Sequence, residues 1–153
     1  MKKQAETKKI LLINGPNLNL LGKRQPEIYG ADTLETIIKN MQDKAAELNL
    51  ELDTLQSNHE GVIVDAIQEA TKKYSFIIIN PGAFSHYSIA IRDALASIDM
   101  PAIEVHLSNI FKREHFRSHS VISPVTIGQV VGFKGDGYIL ALEAAHKILT
   151  NKG

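Results

Sequence analysis

The feature that most constrains this chain is the even recurrence of short apolar runs, at 10–13, 50–55, 76–79, 102–105 and 130–133. A run such as Ile77-Ile78-Ile79 is continuous rather than alternating. That is the pattern of a strand covered on both faces. Between the runs lie stretches of helical period. In the first, Leu34, Ile37, Ile38, Met41, Ala45 and Leu48 fall on one face, and Asp32 followed by Glu35 has the spacing of a capping box. The second aligns Ile63, Ala66, Ile67 and Ala70, and the third Ile91, Ala94, Leu95 and Ile98. The last covers 137–149. Strand–helix alternation builds βαβ units around a parallel sheet. We therefore expect an α/β chain of flavodoxin-like, doubly wound architecture, with a five-stranded parallel sheet in the order 2-1-3-4-5. It should form a single domain over 1–153, with a flexible polar leader over 1–9.

Composition narrows the function classes. A length of 153 residues fits one domain, and 44% hydrophobic with 22% charged residues is an ordinary globular balance. Lys plus Arg and Asp plus Glu both number 17. A chain of zero net charge gives no reason to expect a nucleic-acid or anionic-membrane partner, and little repulsion opposes self-association. The absence of cysteine removes disulfides, thiolate nucleophiles and Cys-type zinc sites. It fits a reducing, cytoplasmic setting. The run at 10–13 is too short for a signal core. No stretch approaches the roughly 20 apolar residues that span a bilayer.

In open α/β sheets, ligands bind beyond the carboxyl ends of the strands. The residues there are Asn14-Gly15-Pro16-Asn17, Gln56-Ser57-Asn58-His59-Glu60, Asn80-Pro81-Gly82 with Ser85-His86, and Glu104 through Asn109. Any one cluster is explained by turn chemistry. Four together make a polar crevice for a small polyhydroxylated ligand. The segment 16–31 is long for a strand-to-helix connection and carries Lys23, Arg24 and Tyr29, so it reads as a lid. No cofactor is expected: no Gly-x-Gly-x-x-Gly follows the first run, no phosphate loop exists, and Gly132, Gly135 and Gly137 read as loop glycines. No metal is expected either, because His86 and His106 have no carboxylate at metallohydrolase spacing.

Several segments, taken in order, carry a more specific signal. They are 14–22 (NGPNLNLLG), 24–30 (RQPEIYG), 56–61 (QSNHEG), 80–83 (NPGA), 90–94 (AIRDA), 104–109 (EVHLSN) and 113–120 (REHFRSHS). Together they resemble the type II 3-dehydroquinate dehydratase family, over about 10–149. The resemblance implies a flavodoxin-like fold, a dodecamer built of trimers, and anti elimination of water from the small-molecule substrate 3-dehydroquinate through an enolate. It implies Tyr29 as the proton-abstracting base, His106 as the acid and Arg24 as a transition-state support. It gives Asn17 a part in holding the enolate. It places Asn80, His86, Asp93, Leu107, Ser108 and Arg117 around the substrate, with Asp93 reaching a neighbouring subunit's site. Phe84 stands where the family often has tyrosine, and Ser85 where it often has threonine.

The chemistry can be weighed residue by residue. A free tyrosine titrates near 10, so as a base at neutral pH it works against roughly 4 kcal/mol. Cations offset part of that, and Arg24 in the same loop and Arg113 after the fourth run are predicted to flank the Tyr29 oxygen. Arg113 therefore joins the substrate-binding set. Histidine is the side chain that titrates nearest neutral pH. Glu104 and His106 are two apart and share a strand face, so Glu104 could orient the ring. Arg117 suits a carboxylate, and it would share a helical face with Arg113. Ser85 is expected to cap the third helix. Asp93 is too far along that helix to cap it; its bland reading is a salt bridge with Arg92 or a surface site. Two other functions fit the fold: a flavin or nucleotide binding module, and a non-catalytic scaffold.

Overall fold

A computed structural model of the chain describes residues 6–151. The strands are β1 (Lys8–Asn14), β2 (Leu50–Gln56), β3 (Phe76–Asn80), β4 (Ala102–His106) and β5 (Gly128–Val131). The helices are the single turn α1 (Pro26–Tyr29), α2 (Leu34–Glu47), α3 (Glu60–Ala70), α4 (Ile89–Ala96) and α5 (Asp136–Thr150). The strands form one sheet in the order β2-β1-β3-β4-β5, all pairs parallel. This is the expected flavodoxin-like topology.

Helices cover both faces of the sheet, which explains the unbroken apolar runs. Ile10, Leu12, Phe76 and Ile78 point into a core shared with Ile37 and Met41 of α2 and Tyr138 and Leu142 of α5. Their neighbours Leu11, Ile13, Ile77 and Ile79 point the other way, onto Ile63 and Ile67 of α3 and Ile91 and Leu95 of α4. Burying one such side chain stabilises the fold by about 1.5–3 kcal/mol. Strand order reverses between β1 and β3, and the carboxyl ends of β1, β3 and β4 open onto a crevice.

Five local expectations need correcting. The capping box at Asp32 and Glu35 is not formed; α2 starts one residue later, with the Thr33 side chain accepting the Thr36 N–H at 3.2 Å. The fifth strand ends at Val131 because Gly132 turns the chain at φ +95°, leaving Phe133 exposed. Gly137 is no loop glycine: it is buried in the first turn of α5, against Val130 and Val105. Ile98 lies beyond the end of α4 and packs from the following turn. Of the leader, residues 1–5 lie outside the described residues. Lys8 and Lys9 already belong to β1, paired with Leu50 and Glu51, and a Lys9–Glu51 ion pair at 3.1 Å supports that edge. Among the described residues no helix is long and apolar enough to cross a membrane.

Candidate active site

Two turns interlock at the head of the crevice. A Cβ on Gly15 would lie 2.3 Å from the Pro81 carbonyl oxygen, so only glycine allows this approach. The Gly15 N–H donates to the Asn80 carbonyl at 2.8 Å. Asn17 is held in the left-handed region, φ 69°, which asparagine tolerates better than most residues. Its N–H donates to Asn58 Oδ1 at 3.0 Å, and Gln56 Nε2 donates to the same oxygen at 3.2 Å.

These turns, the 16–31 segment and the end of β4 enclose a cavity of about 190 Å³. Asn17, Arg24, Tyr29, Asn80, His86, His106, Leu107, Ser108, Arg113 and Arg117 all line it. Three guanidinium groups line this space and, among the described residues, no carboxylate does, so its field favours an anionic ligand. Of the expected site residues only Asp93 stands apart. It is exposed on α4, and Arg92, its suggested ion-pair partner, donates instead to the Val121 carbonyl at 2.8 Å.

Tyr29 ends the single turn α1. Pro26 starts that turn with its φ already set, and Gly30 closes it at φ 94°. The half-buried ring packs against the core. The Arg24 and Arg113 guanidinium carbons lie 5.1 and 5.0 Å from its centroid. Both are within cation–π reach. Both arginines flank Tyr29 at its ring, where the expectation had placed them at its oxygen. Arg113 Nη1 also donates to Ser108 Oγ at 3.4 Å.

The β4 side is built differently. Glu104 is fully buried and His106 nearly so. They share a face of the strand, and His106 Nε2 meets Glu104 Oε2 at 2.5 Å. Ser85 donates to Glu104 Oε2, and Ser120 donates to Oε1 at 2.8 Å. Burial alone pushes the Glu104 carboxyl up, but the bonds from His106, Ser85 and Ser120, with the His106 charge, outweigh it and hold it below the usual range. It is a carboxylate. With Nε2 engaged, His106 presents Nδ1 as its unengaged ring nitrogen. Glu104 orients the ring as the strand spacing allowed.

Ser85 is thus not a helix cap. Ser88 caps α4, accepting the Ile91 N–H at 3.1 Å, and donates to Glu60 Oε2 at 2.5 Å. The cap falls on Ser88 because the five residues of Gly82–His86 form a separate 3-10 turn. His86 Nδ1–H donates to the His119 carbonyl at 2.8 Å, which leaves Nε2 as an acceptor. Desolvation, with the neighbouring His106 and Arg117, holds His86 below the ordinary histidine value despite that bond. Its ring stacks on His106 at 6.2 Å. Arg113 and Arg117 do not share a helix, because 3-10 turns at Ile110–Lys112 and His115–Ser118 are separated by extended backbone at Arg113. They nevertheless converge on the cavity, and Glu114 braces Arg117 Nε.

Sequence reasoning missed Ser120, Asn58 and Tyr138. Asn58 and Tyr138 bond the lining residues Asn17 and Asn80 directly, and Ser120 supports His106 through Glu104. Ser120 lies in the last quoted motif and Asn58 in the third, so their place was visible but not their partners. Among the described residues no three His, Asp or Glu side chains gather closely enough to hold a metal ion.

Comparisons with known proteins place the chain among relatives of one family. The family described as dehydroquinase class II matches residues 8–146. A 3-dehydroquinate dehydratase of Halothermothrix orenii is 53% identical, covering 92% of this chain and 95% of its own. One from Bacillus cytotoxicus is 57% identical, covering 90% and 94%. Among solved structures, type II dehydroquinase from Butyrivibrio crossotus superposes with a TM-score of 0.89 at 50% identity, covering 90% of this chain and 97% of that one. A 3-dehydroquinate dehydratase-like protein from Bifidobacterium longum gives 0.71 at 34% identity, covering 94% and 98%.

Proposed function

The chain belongs to the class II dehydroquinase family, and from that premise we propose how its residues share the work of removing water from 3-dehydroquinate. The activity is that of a hydro-lyase, 3-dehydroquinate dehydratase. The substrate is a cyclic ketone bearing a carboxylate and hydroxyls. Elimination needs a base for the proton beside the carbonyl, a group to hold enolate charge, and an acid for the departing hydroxyl.

The observation that carries the assignment is that Tyr29 and His106 line the same small cavity, each with its own electrostatic support. Tyr29, between the guanidinium groups of Arg24 and Arg113, takes the proton. Asn17 holds the developing enolate. His106 donates from Nδ1 to the leaving hydroxyl, while the Glu104 carboxylate balances the imidazolium charge. Arg117 receives the substrate carboxylate. Asn80, His86, Leu107, Ser108 and Arg113 bind the ring and its hydroxyls. Asp93, exposed and remote within one protomer, acts on a neighbouring subunit's site in a dodecamer of trimers. The setting we propose is the cytoplasm and the shikimate pathway of aromatic biosynthesis. Nothing favours the flavin or nucleotide module.

The test is the conjugated-enone absorbance of the product, followed on metal-free protein given 3-dehydroquinate. It is repeated after borohydride treatment with substrate, which traps a Schiff base if one forms. Undiminished turnover supports the acid–base route. Loss of activity after borohydride would point to a lysine adduct and remove Tyr29 and His106 from these roles.

A further inference from the structure

A buried polar chain runs away from the cavity behind Asn80, one of its lining residues. It runs from the backbone of Gly82 through Asn80 and Tyr138 to Asn14. The Gly82 N–H donates to Asn80 Oδ1 at 3.0 Å, Asn80 Nδ2 donates to the Tyr138 hydroxyl at 2.8 Å, and that hydroxyl donates to Asn14 Oδ1 at 2.7 Å. Tyr138 and Asn14 are wholly buried and Asn80 is 2% exposed. Tyr138 comes from the first turns of α5, whereas Asn14 and Asn80 end the adjacent strands β1 and β3.

Donor and acceptor logic fixes the direction of this chain. A backbone N–H can only donate, so Asn80 must turn its oxygen to Gly82 and its amide nitrogen to Tyr138. The tyrosine oxygen then accepts, so its one proton must go to Asn14. Burial from water pushes the Tyr138 hydroxyl above the ordinary tyrosine value, so it stays a neutral donor. With its oxygen turned to Gly82 and one N–H given to Tyr138, Asn80 keeps the second N–H of its amide unused. Asn80 lines the cavity.

We infer that Tyr138 is a positioning residue for the reaction: it holds the Asn80 amide in the one orientation that keeps its second N–H for the cavity. The ligand group met by that N–H is an acceptor, such as a carboxylate oxygen or a hydroxyl lone pair. The inference rests on Asn80 binding substrate as proposed above.

A double-mutant cycle tests it. Tyr138→Phe keeps the ring and removes the hydroxyl. It should raise KM about tenfold with kcat within about twofold, the pattern of a lost ground-state contact. In an Asn80→Ala background the same substitution should change KM by less than about twofold, since Tyr138 acts only through Asn80. A merely structural hydroxyl would give equal effects in both backgrounds and overturn the inference. Asn80→Ala without kinetic effect would instead overturn the substrate-binding role of Asn80. If Tyr138→Phe does not fold, Asn14→Ala frees the far end of the chain. It should raise KM a few-fold in the native background and not in Asn80→Ala, and an unchanged KM in both would count against the inference.

Discussion

The two sides of the cavity are built on different principles. His106, the proposed acid, stands at the end of a central strand, and its partner Glu104 is tied by Ser85 and Ser120, from the β3–α4 turn and the segment before β5. Tyr29, the proposed base, stands on one helical turn in a long connection. Contacts to two guanidinium groups and the core hold it, and its flanks Gln25 and Gly30 both have positive φ. One side is fixed by hydrogen bonds that the fold buries. The other is fixed by charge and a few backbone angles. A substitution on the strand side should therefore disturb stability and activity together, whereas one on the loop side should disturb activity alone.

The largest expected effect is on the loop. Tyr29→Phe should lower kcat about 10³-fold, within the range attributed to a general base, and leave the unfolding midpoint within about 2 °C. A large drop in the midpoint would break the contrast, because the hydroxyl would then be structural. Next comes Glu104→Gln. Urea unfolding should show a loss of about 3 kcal/mol, as when one partner leaves a buried pair. Its kcat should fall about 10²-fold. Unchanged stability would show that the strand side is no more embedded than the loop.

Acidity separates the two sides more finely. The Glu104 carboxyl is held below its unfolded value. Its contribution to stability is present above the ordinary carboxylate range and is lost as pH falls through the lower, folded value. His86 is also held down. Its contribution is complete above the ordinary histidine value and falls as pH drops through that value toward the folded one. Thermal melts of the wild type should thus weaken in two stages on acidification. His86→Gln should remove the milder, higher stage and Glu104→Gln the lower one; a melt profile unaltered by either substitution would contradict the assignments. The smallest effect is expected outside both regions. Thr33→Ala removes the cap of α2 and should cost about 1 kcal/mol in urea unfolding, with kcat unchanged. Altered turnover there would mean that α2 governs the loop before it.

Much of the fold was legible because each element's burial left a mark on the sequence. The double-sided burial of β1 and β3 wrote Ile-rich runs, and the single-sided burial of α2 and α3 wrote a helical stripe. The ends of elements were less legible. Thr33 was passed over for Asp32 because both are good caps and the choice depends on where the helix turns. The fifth strand was displaced because Phe133 is apolar yet exposed. At the site, the lining residues were found through the family motifs, since side chains that meet substrate lie in recognisable strings. Of their supports, Glu104 was legible from its place two residues before His106 on one strand face, and Arg24 and Arg113 from their charge; the residues that in turn hold Glu104 and Asn80 were not. Ser85, Ser120 and Glu104 come together from three separate segments, and Tyr138 reaches Asn14 across the whole chain. No local spacing records a contact between residues so distant in sequence.

The most direct test of separate base and acid supports is proton exchange on the substrate in deuterated water, followed by NMR. The carbon beside the carbonyl exchanges its proton when the base acts, whether or not the hydroxyl leaves. His106→Gln should still exchange that proton while eliminating water slowly, and Tyr29→Phe should do neither. Exchange persisting in Tyr29→Phe, or lost in a folded His106→Gln, would contradict the division of labour between the loop and the strand.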